Sequence, residues 1–397
     1  MTSRLPWPPQ EGHQLRSWHL LRALAARHAV HLLSFERRDD RPGELAHLRR
    51  NTAAVETFPI PAEHSRRELA RAALRGSFGE RPFVAWKYRS AALRGRARKL
   101  LPAFDAVHVD MLPLVANLPR QCGLPLVLNA HNIEHALLER RSETERSPWR
   151  RRFLAAQVPR LRAFEVAAWQ RADLVLACSP GDTEVIRTAA PRTRVEVIPN
   201  GVDLDANRPD ASTPGPGQLV FVGQMGWFPN RDGVEWFLAE VFPRILAARP
   251  HVSLQLVGKP DGFAVPAALR GHVQMAGFVE DVRRPVRDAA VYVVPLRAGS
   301  GTRLKVLEAM ALGKAIVTTS IGSAGIALQP GRDALFADDA ASFATAVLEL
   351  LADPARAARL GSAARAVAEA RYGWTAIGES LVGAYDSLLA SRAARQR

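Results

Sequence analysis

The stretch AVYVVPLRAGSGTRLKVLEAMALGKAIVTTS, residues 290–320, contains two apolar segments separated by a glycine-bearing loop and an amphipathic segment. The apolar segments at its two ends have the length and β-branched content of buried strands. The segment between them repeats apolar residues at helical spacing. A strand, a helix and a second strand in this order form a parallel pair. The stretch therefore predicts a parallel sheet covered by helices.

The same alternation of strands and helices runs through the rest of the chain. Five more strands are predicted in the first half: AVHLLSF (29–35), FDAVHVD (104–110), PLVLNAH (125–131), ADLVLACS (172–179) and VEVIPN (195–200). The second half adds LVFVG (219–223), VSLQLVG (252–258), VQMAGF (273–278) and ALFA (334–337). Both halves are therefore predicted to be α/β, Rossmann-like, doubly wound domains.

Chain length and one linker divide the sequence. A chain of 397 residues exceeds the size at which a single core keeps growing. DANRPDASTPGPGQ, residues 205–218, is rich in Pro, Gly, Asp and Ser and is the predicted linker. We expect one domain at 1–204, a second at 219–374, and a C-terminal helix at 375–397 that packs back toward the first domain. TSRLPWPP, near the start, has the character of a loop, so the first strand of the N-terminal domain is expected to be truncated.

Composition narrows the function classes. The formal net charge is +15, and only five of the 54 Lys and Arg residues are lysines. Because arginine is spread over the whole chain, the charge favours anionic small molecules and lipid head groups over nucleic acid as partners. No apolar run reaches the roughly 20 residues of a membrane span, and no signal peptide begins the chain, so a cytoplasmic protein is expected. Cys122 and Cys178 lack metal-ligand spacing and predict no disulfide framework.

Glycines and cations stand together where the first strand of the opening stretch ends. Gly299 and Gly301 allow backbone to approach a phosphate closely, and the helix expected to begin near Thr302 offers free N–H groups. Arg303 and Lys305 add positive charge. This arrangement predicts a site for a diphosphate. The alternative is that the glycines only shape a turn between strand and helix.

Glu308 lies one turn beyond Lys305 on the same helix face, where a carboxylate could accept hydrogen bonds from ribose hydroxyls. The alternative is a solvated ion pair between the two. This segment resembles the EAM-containing donor helix of family 4 of the retaining glycosyltransferases, which have the GT-B fold of two domains facing across a cleft. Further segments resemble that family in order and spacing: VEVIPNGVD (195–203), LVFVGQMGWFPN (219–230), LQLVGKPDG (254–262), MAGFVEDV (275–282) and GKAIVTTSIGSAGI (313–326).

The resemblance implies a nucleoside-diphosphate sugar as co-substrate. It implies that Glu308 binds the donor ribose and that Arg303 and Lys305, as catalytic residues, neutralise the diphosphate. The other donor-binding positions that it implies are Gly12, Gly223, Phe278, Val279, Glu280, Gly299, Ser300, Gly301 and Thr302. For Gly223 the alternative is a glycine that only serves a tight turn.

Two positions depart from the family pattern. Many members carry a first glutamate eight positions before the second, where this chain has Ser300, so the carboxylate that addresses the transferred sugar is missing. Many members also carry an Arg and a Lys in the loop after the second domain's first strand, where this chain reads GQMGWFPN (223–230). We expect Lys305 to supply the missing charge.

Polar residues follow two predicted strands of the first domain. They are His108 and Asp110 after one strand, and His131, Asn132 and Glu134 after the next. Because open α/β sheets bind ligands at the carboxyl ends of their strands, the two histidines are candidate catalytic residues and the other three are candidate acceptor-side residues. The alternatives are a backbone-bonded histidine at 131 and helix caps at Asp110 and Glu134.

These features predict an enzyme that transfers a hexose-type sugar, with retention, from a nucleotide sugar to an acceptor hydroxyl in polysaccharide or glycolipid synthesis. No carboxylate pair suited to Mg²⁺ and no zinc HExxH pattern occurs, so neither a metal nor another cofactor is expected. Two alternatives stay open. One is a non-catalytic partner protein that binds nucleotide sugars, and the other is a nucleotide-sugar epimerase on the same fold.

RPFVAWKYRSAALRGRARKLL, residues 81–101, mixes three aromatic residues with many arginines. Such a mixture is typical of an interfacial membrane helix or of a groove for a lipid acceptor. It predicts peripheral contact with the anionic inner face of a membrane. The alternative is an ordinary helix that faces the core and has a basic outer side.

Overall fold

The structure is a computed structural model that describes residues 1–9, 12–37, 40, 42–145, 147–210, 215–299 and 302–396. Its internal contacts group the chain into two compact units. The first consists of Met1–Pro199 with Ile377–Arg397, and the second of Asn200–Ala376. Residues 211–214 of the predicted linker lie outside the described residues.

Strands of the first unit pair in parallel in two ladders. They are β1 (His31–Glu36), β2 (Ala54–Pro59), β3 (Val107–Val109), β4 (Leu126–Ala130), β5 (Leu174–Ala177) and β6 (Val195–Val197). β1 pairs with β2, and β3 to β6 form a four-stranded sheet in chain order. Met1 and Thr2 lie between the ladders. The N–H of Thr2 donates to the carbonyl of Leu33 at 3.0 Å, and the N–H of Asp110 donates to the carbonyl of Met1 at 3.0 Å.

Helices connect these strands. They are α1 (Gly12–Ala25), α2 (Pro42–Asn51), α3 (Pro61–His64), α4 (Arg66–Phe78), α5 (Phe83–Lys87), α6 (Ala91–Leu100), α7 (Glu134–Thr144), α8 (Pro148–Arg171) and α9 (Pro180–Ala189). Strands β4 and β5 are wholly buried, because helices cover them. The sheet therefore has the continuous apolar strands of a parallel α/β fold.

The second unit is one six-stranded parallel sheet in the order β12-β11-β10-β7-β8-β9. Its strands are β7 (Gln218–Val222), β8 (Ser253–Val257), β9 (Val273–Gly277), β10 (Val291–Val294), β11 (Ile316–Thr318) and β12 (Leu335–Phe336). Its helices are α10 (Phe228–Trp236), α11 (Phe242–Ala248), α12 (Arg283–Asp288), α13 (Leu304–Ala311), α14 (Ala340–Ala352) and α15 (Pro354–Arg371). The last helix, α16 (Trp374–Gln396), groups with the first unit from Ile377 onward.

The predicted fold class is confirmed, because both units are α/β with parallel strands. Two regions differ from the sequence-based prediction. The sequence pattern predicts no element between residues 36 and 81, where the structure has β2 and three helices. β2 is only half-buried, so its residues do not show the apolar run of a buried strand. The predicted 81–101 helix is instead two helices, because α5 ends at Lys87 and the hydroxyl of Ser90 caps the start of α6.

Helix α4 packs closely against the start of α5. A Cβ added at Gly76 would lie 2.6 Å from the Cα of Phe83 and 2.8 Å from its backbone nitrogen. The side chain of Gln157 on α8 bridges the same region. It donates to the carbonyl of Gly76 at 3.0 Å and accepts from the N–H of Phe83 at 2.8 Å. The absence of a side chain at Gly76 therefore permits this approach.

We predict that Gly76→Ala lowers the free energy of unfolding of the first unit by about 1–3 kcal/mol, because the added methyl group overlaps backbone atoms. Gly95→Ala in α6 is the matched control. A Cβ there meets nothing within 4 Å, and the higher helix propensity of alanine should stabilise the unit by up to about 1 kcal/mol. Urea unfolding followed by circular dichroism measures both changes. Equal stability of the two variants would contradict the packing described.

Candidate functional site

The strand order of the second unit changes direction between β7 and β10. From β7 the chain proceeds outward through β8 and β9, and from β10 it proceeds outward on the other side through β11 and β12. The carboxyl ends of β7 and β10 therefore meet at a topological switch point, the place where open parallel sheets bind ligands. Gly223 follows β7 there, and the loop that leads into α13 follows β10.

Gly223 has no room for a side chain. A Cβ at this position would lie 2.6 Å from the ammonium of Lys305 and 2.6 Å from the amide nitrogen of Asn230. A Cβ at Gly258, which follows β8, would lie 2.3 Å from the carbonyl oxygen of Gly223. The backbone at the end of β7 is thus in contact with a cation on one side and with the neighbouring strand end on the other. A side chain at position 223 would therefore have to displace the ends of the Lys305 and Asn230 side chains.

Lys305 reaches the end of β7 from the first turn of α13. Its Nζ donates to Oδ1 of Asn230 at 2.7 Å and lies 4.3 Å from the centroid of the Phe221 ring. The amide of Asn230 donates in turn to the carbonyl of Gln224 at 2.8 Å. Burial, reinforced by the nearby Arg303, lowers the pKa of Lys305 to about 7. Asn230 was not predicted as a site residue, although it ends the segment GQMGWFPN (223–230), in which this chain lacks the Arg and Lys of many family members.

Glu308 lies one turn farther along α13. Burial raises the pKa of its carboxyl to about 7, although Lys305 acts in the opposite direction. Burial and the Glu308 charge also raise the pKa of Tyr292, a buried residue of β10. Lys305 and Glu308 therefore form a coupled cation and acid in a site that is poor in water.

The loop before α13 is shaped around Arg303. The helix begins at Leu304, two residues later than predicted, and Arg303 is its N-cap residue. The guanidinium of Arg303 packs over Gly299, where a Cβ would lie 2.5 Å from Nη2, and Gly299 has a φ of +121°. The hydroxyl of Thr302 is buried with no hydrogen-bond partner among the described residues. Ser300 and Gly301 lie outside the described residues.

Phe278, Val279 and Glu280 follow β9 at the same edge of the sheet. The ring of Phe278 is 71% exposed, and the ammonium of Lys259 lies 5.9 Å from its centroid. The carboxyl ends of β7, β9 and β10 thus all contribute predicted donor-binding residues to one edge.

Asp110 is the centre of a buried polar network in the first unit. Its Oδ1 accepts from the amide of Asn129 at 2.7 Å and lies 3.3 Å from Nε2 of His131. Its Oδ2 accepts from the hydroxyl of Ser17. Arg16, which is 1% exposed, donates to the Asn129 amide oxygen at 2.8 and 3.1 Å. The network joins α1 to the ends of β3 and β4.

Two of the predicted histidines contact this carboxylate. Nε2 of His108 lies 3.7 Å from Oδ1 of Asp110, and its Nδ1 is hydrogen-bonded to the hydroxyl of Tyr385 at 2.6 Å. Burial lowers the pKa of His108, and Asp110 opposes that effect. Burial opposes ionisation of Asp110 as well, yet His131 and His108 hold its pKa well below the usual range. Asp110 is therefore an ionised acceptor in this network, not the helix cap considered as its alternative.

Glu165 performs the capping role considered for Glu134. Its carboxylate, on α8, accepts from the backbone N–H groups of Glu134 and His135 at 2.8 and 3.1 Å and contacts Nδ1 of His135 at 2.6 Å. Burial and the charge of Glu165 raise the pKa of Glu134 to about 7. Asn132 precedes this helix at the end of β4, whereas Gly12 is the first residue of α1. Glu165 could not be predicted from the local sequence, because it lies on α8, 31 residues after Glu134.

Two features are absent from the part of the chain that the structure describes. No group of three or more His, Cys, Asp or Glu side chains there is placed to hold a metal ion. None of the helices described combines the length and apolar character that crossing a bilayer requires.

Two family models match the chain. The model described as Glycosyltransferase Family 4 matches residues 12–206, and the model described as Glycosyl transferases group 1 matches residues 216–353. Together the two matches cover most of the sequence. The chain belongs to the family 4 glycosyltransferases.

This family 4 chain is 30% identical over 204 residues to the phosphatidyl-myo-inositol mannosyltransferase of Mycolicibacterium smegmatis, a match that covers 48% of the chain and 51% of that relative. The chain spans about half the length of the phosphatidyl-myo-inositol mannosyltransferases that it matches. Among solved structures, sucrose-phosphate synthase from Thermosynechococcus elongatus has a TM-score of 0.67 at 20% identity, with 98% of each chain covered. Anabaena HepE, solved with UDP and glucose, has a TM-score of 0.64 at 16% identity, with 96% of each covered. These likenesses establish the GT-B fold.

We predict that Asp110→Asn destabilises the first unit of this family 4 chain by about 2–3 kcal/mol at pH 7, because an amide replaces a buried carboxylate whose two oxygens accept hydrogen bonds from Ser17 and Asn129. The pKa of Asp110 in the folded state is well below its ordinary value of 3.8. The ionised carboxylate therefore stabilises the fold above pH 3.8, and this stabilisation is lost as the pH falls through the folded-state pKa. The deficit should therefore stay constant between pH 7 and pH 5. Urea unfolding at both pH values measures it.

Asp105→Asn is the matched control for Asp110→Asn. Asp105 is exposed in the same unit, and its substitution should change stability by no more than about 0.5 kcal/mol. If the Asp110→Asn and Asp105→Asn variants unfolded at the same urea concentration, the polar network around Asp110 would not stabilise the unit.

Proposed function

We propose that this chain transfers a sugar from a nucleoside-diphosphate sugar to an acceptor hydroxyl, with retention of configuration at the anomeric carbon. The observation that carries the proposal is the pair of Lys305 and Glu308, one helical turn apart, beside the glycine that ends β7. This pair offers a cation for a diphosphate and a carboxyl group for ribose hydroxyls. The complex of HepE with UDP and glucose supports the same class of donor.

The surroundings of the Lys305 ammonium are suited to binding an anion. Its ammonium donates to a neutral amide at 2.7 Å and lies near an aromatic ring. The carboxyl group of Glu308 also acts on it, but burial raises the pKa of that group to about 7. The charge of Lys305 is therefore incompletely compensated in a buried setting. A bound diphosphate would raise the pKa of Lys305 from about 7 and keep the ammonium charged. Charge that is preorganised in this way stabilises the negative charge that develops on a departing diphosphate.

In the proposed reaction the bond between the anomeric carbon and the diphosphate oxygen breaks, and a bond to the acceptor oxygen forms on the same face. The proton of the acceptor hydroxyl passes to the departing diphosphate. Lys305 and Arg303 stabilise the leaving group, and Glu308 holds the ribose. Because these cations address the diphosphate directly, we propose that the transfer needs no metal ion.

We place the acceptor at the ends of β3 and β4, where the Asp110 carboxylate orients the imidazole of His131 at 3.3 Å. A histidine held in this way can hydrogen-bond to an acceptor hydroxyl. His108 is held by Tyr385 and supports the same carboxylate. The name of the matched mannosyltransferase, which refers to a phosphatidyl lipid, favours a lipid-linked or glycan acceptor. We therefore propose a role in glycolipid or polysaccharide synthesis at the cytoplasmic face of a membrane.

The first test is a screen of UDP-, GDP- and ADP-sugars with mass-spectrometric detection of donor turnover, with and without EDTA. We expect one donor class to turn over regardless of EDTA. Glu308→Gln should lower kcat/KM for that donor by about 10²-fold or more, because a buried hydrogen-bonding carboxyl group is lost. Glu235→Gln, which alters an exposed carboxylate on α10 of the same unit, should leave the rate unchanged.

Each other outcome of the screen points to a different function. Donor binding without turnover would replace the transferase by a nucleotide-sugar-binding partner protein. A donor recovered with an inverted hydroxyl centre would indicate an epimerase. Loss of turnover with EDTA would contradict the proposed metal independence.

The second test relocates the cation. Lys305→Met should lower kcat/KM for the donor by about 10²-fold, because the diphosphate loses a buried charge. In the Lys305→Met background, Asn230→Lys introduces an ammonium at the position whose side chain accepts a hydrogen bond from Lys305 in the wild type. We expect kcat/KM of this double variant to be at least about tenfold higher than that of Lys305→Met alone. Failure of the rescue in a folded double variant would show that the site needs more than charge.

The pH profile gives an independent readout of Lys305. The charged ammonium binds the diphosphate, so kcat/KM of the wild type should fall as the pH rises above about 7, where the free ammonium loses its proton. Lys305→Met should lose this alkaline limb of the profile. An unchanged alkaline limb in the variant would assign it to another group.

A further inference from the structure

The C-terminal end of α4 exposes apolar side chains among arginines. Phe78 is 84% exposed and Leu74 is 62% exposed, although both are large apolar residues. Their spacing of four residues places them on one helix face, which also carries Arg71 and Arg75. The opposite face of the helix contains the buried Ala72 and Gly76. The exposed apolar residues therefore point away from the core.

Trp86 on α5 stands beside this end of α4 and is surrounded by guanidinium groups. The Cζ atoms of Arg75, Arg81 and Arg89 lie 5.1, 5.9 and 5.0 Å from the centroid of its ring. Leu74, Arg75, Phe78, Gly79 and Trp86 line one shallow open cavity. We call Leu74, Arg75, Phe78, Arg81, Trp86 and Arg89 the arginine–tryptophan surface.

The arginines of this surface form no ion pairs with carboxylates among the described residues. Within the described ranges, no ion pair involves Arg75, Arg81 or Arg89. The Nε of Arg89 is buried and has no hydrogen-bond partner in the part of the chain described. Burial lowers the pKa of Arg89, and the neighbouring Arg94, Arg81 and Arg75 lower it further. Several guanidinium groups thus converge on a place where an anion would relieve their repulsion.

We propose that the arginine–tryptophan surface docks on an anionic lipid bilayer. Its arginines bind the phosphates of the head groups, and Phe78 and Leu74 enter the interface between head groups and acyl chains. An aromatic residue beside basic residues at the end of an amphipathic helix is the arrangement that interfacial membrane helices use. Membrane docking by this surface does not depend on the identity of the sugar donor.

The geometry favours a bilayer over single-stranded nucleic acid. Nucleic acid would use Trp86 as a stacking platform, but guanidinium groups already lie over that ring. The start of α8 adds a second element of the same character, since Trp149 is 83% exposed and is followed by Arg150, Arg151 and Arg152. The two elements are joined through Gln157, which hydrogen-bonds to Gly76.

The test is co-sedimentation of the full chain with vesicles of phosphatidylcholine alone and of phosphatidylcholine with phosphatidylglycerol. We expect binding to the anionic vesicles to be at least tenfold tighter and to weaken at high salt. Leu74→Ser with Phe78→Ser should weaken it by about tenfold or more, because the inserted apolar surface is lost. Arg75→Gln with Arg81→Gln should weaken it by at least about tenfold.

Val185→Ser is the matched control, because Val185 is a partly exposed apolar residue of α9 in the same unit. It should leave vesicle binding unchanged, and circular dichroism should show all variants folded. Equal binding to both vesicle types, or binding that none of the surface variants alters, would overturn the proposal. Binding to single-stranded RNA without binding to vesicles would overturn it as well and would identify a nucleic-acid surface. If the chain bound anionic vesicles but transferred no sugar from any donor, the proposed function would be wrong and the membrane-docking proposal would stand.

Discussion

At the switch point of the second unit, the Lys305 ammonium occupies the space beside Gly223 that a side chain at position 223 would need. Any side chain at position 223 would occupy the space of the ammonium, 2.6 Å away. Because β7 and β10 are adjacent, the side chain of Lys305, on the helix after β10, reaches the end of β7, and the glycine at position 223 leaves room for its ammonium. The neutral amide of Asn230 orients that cation without neutralising it. The site consequently keeps a positive charge available for an anion.

The first unit handles a buried charge in the opposite way. Asp110 is surrounded by donors from α1, β4 and the residue that follows β4, so its negative charge is compensated inside the protein. Glu165 likewise gives its oxygens to the start of α7. Buried charges that are fully partnered hold elements together, whereas a buried charge with a neutral partner is suited to binding. The contrast supports the proposed roles, in which Asp110 positions His131 and Lys305 binds the ligand.

The sequence predicts much of the fold because apolar strand runs such as LVFVG (219–223) and AVYVVPL (290–296) are local signals. It misses β2, since a half-buried strand carries no such run. The glycines and charged residues at the carboxyl ends of β7 and β10 also form local sequence patterns, so the sequence alone singles them out. Their partners could not, because Lys305 meets Asn230 across 75 positions and His108 meets Tyr385 across 277. Only the folded chain brings such pairs together.

The net charge of +15 has little meaning as a single number, because the arginines serve different purposes. Arg16 is buried and fully engaged with Asn129, so its charge contributes nothing to the outer surface. Arg194 and Arg283 are paired with neighbouring carboxylates. The guanidinium groups around Trp86 differ from these, because they face one another and not acids. A basic composition indicates a binding surface only where structure leaves the cations without internal anions, and around Trp86 that condition coincides with exposed apolar side chains.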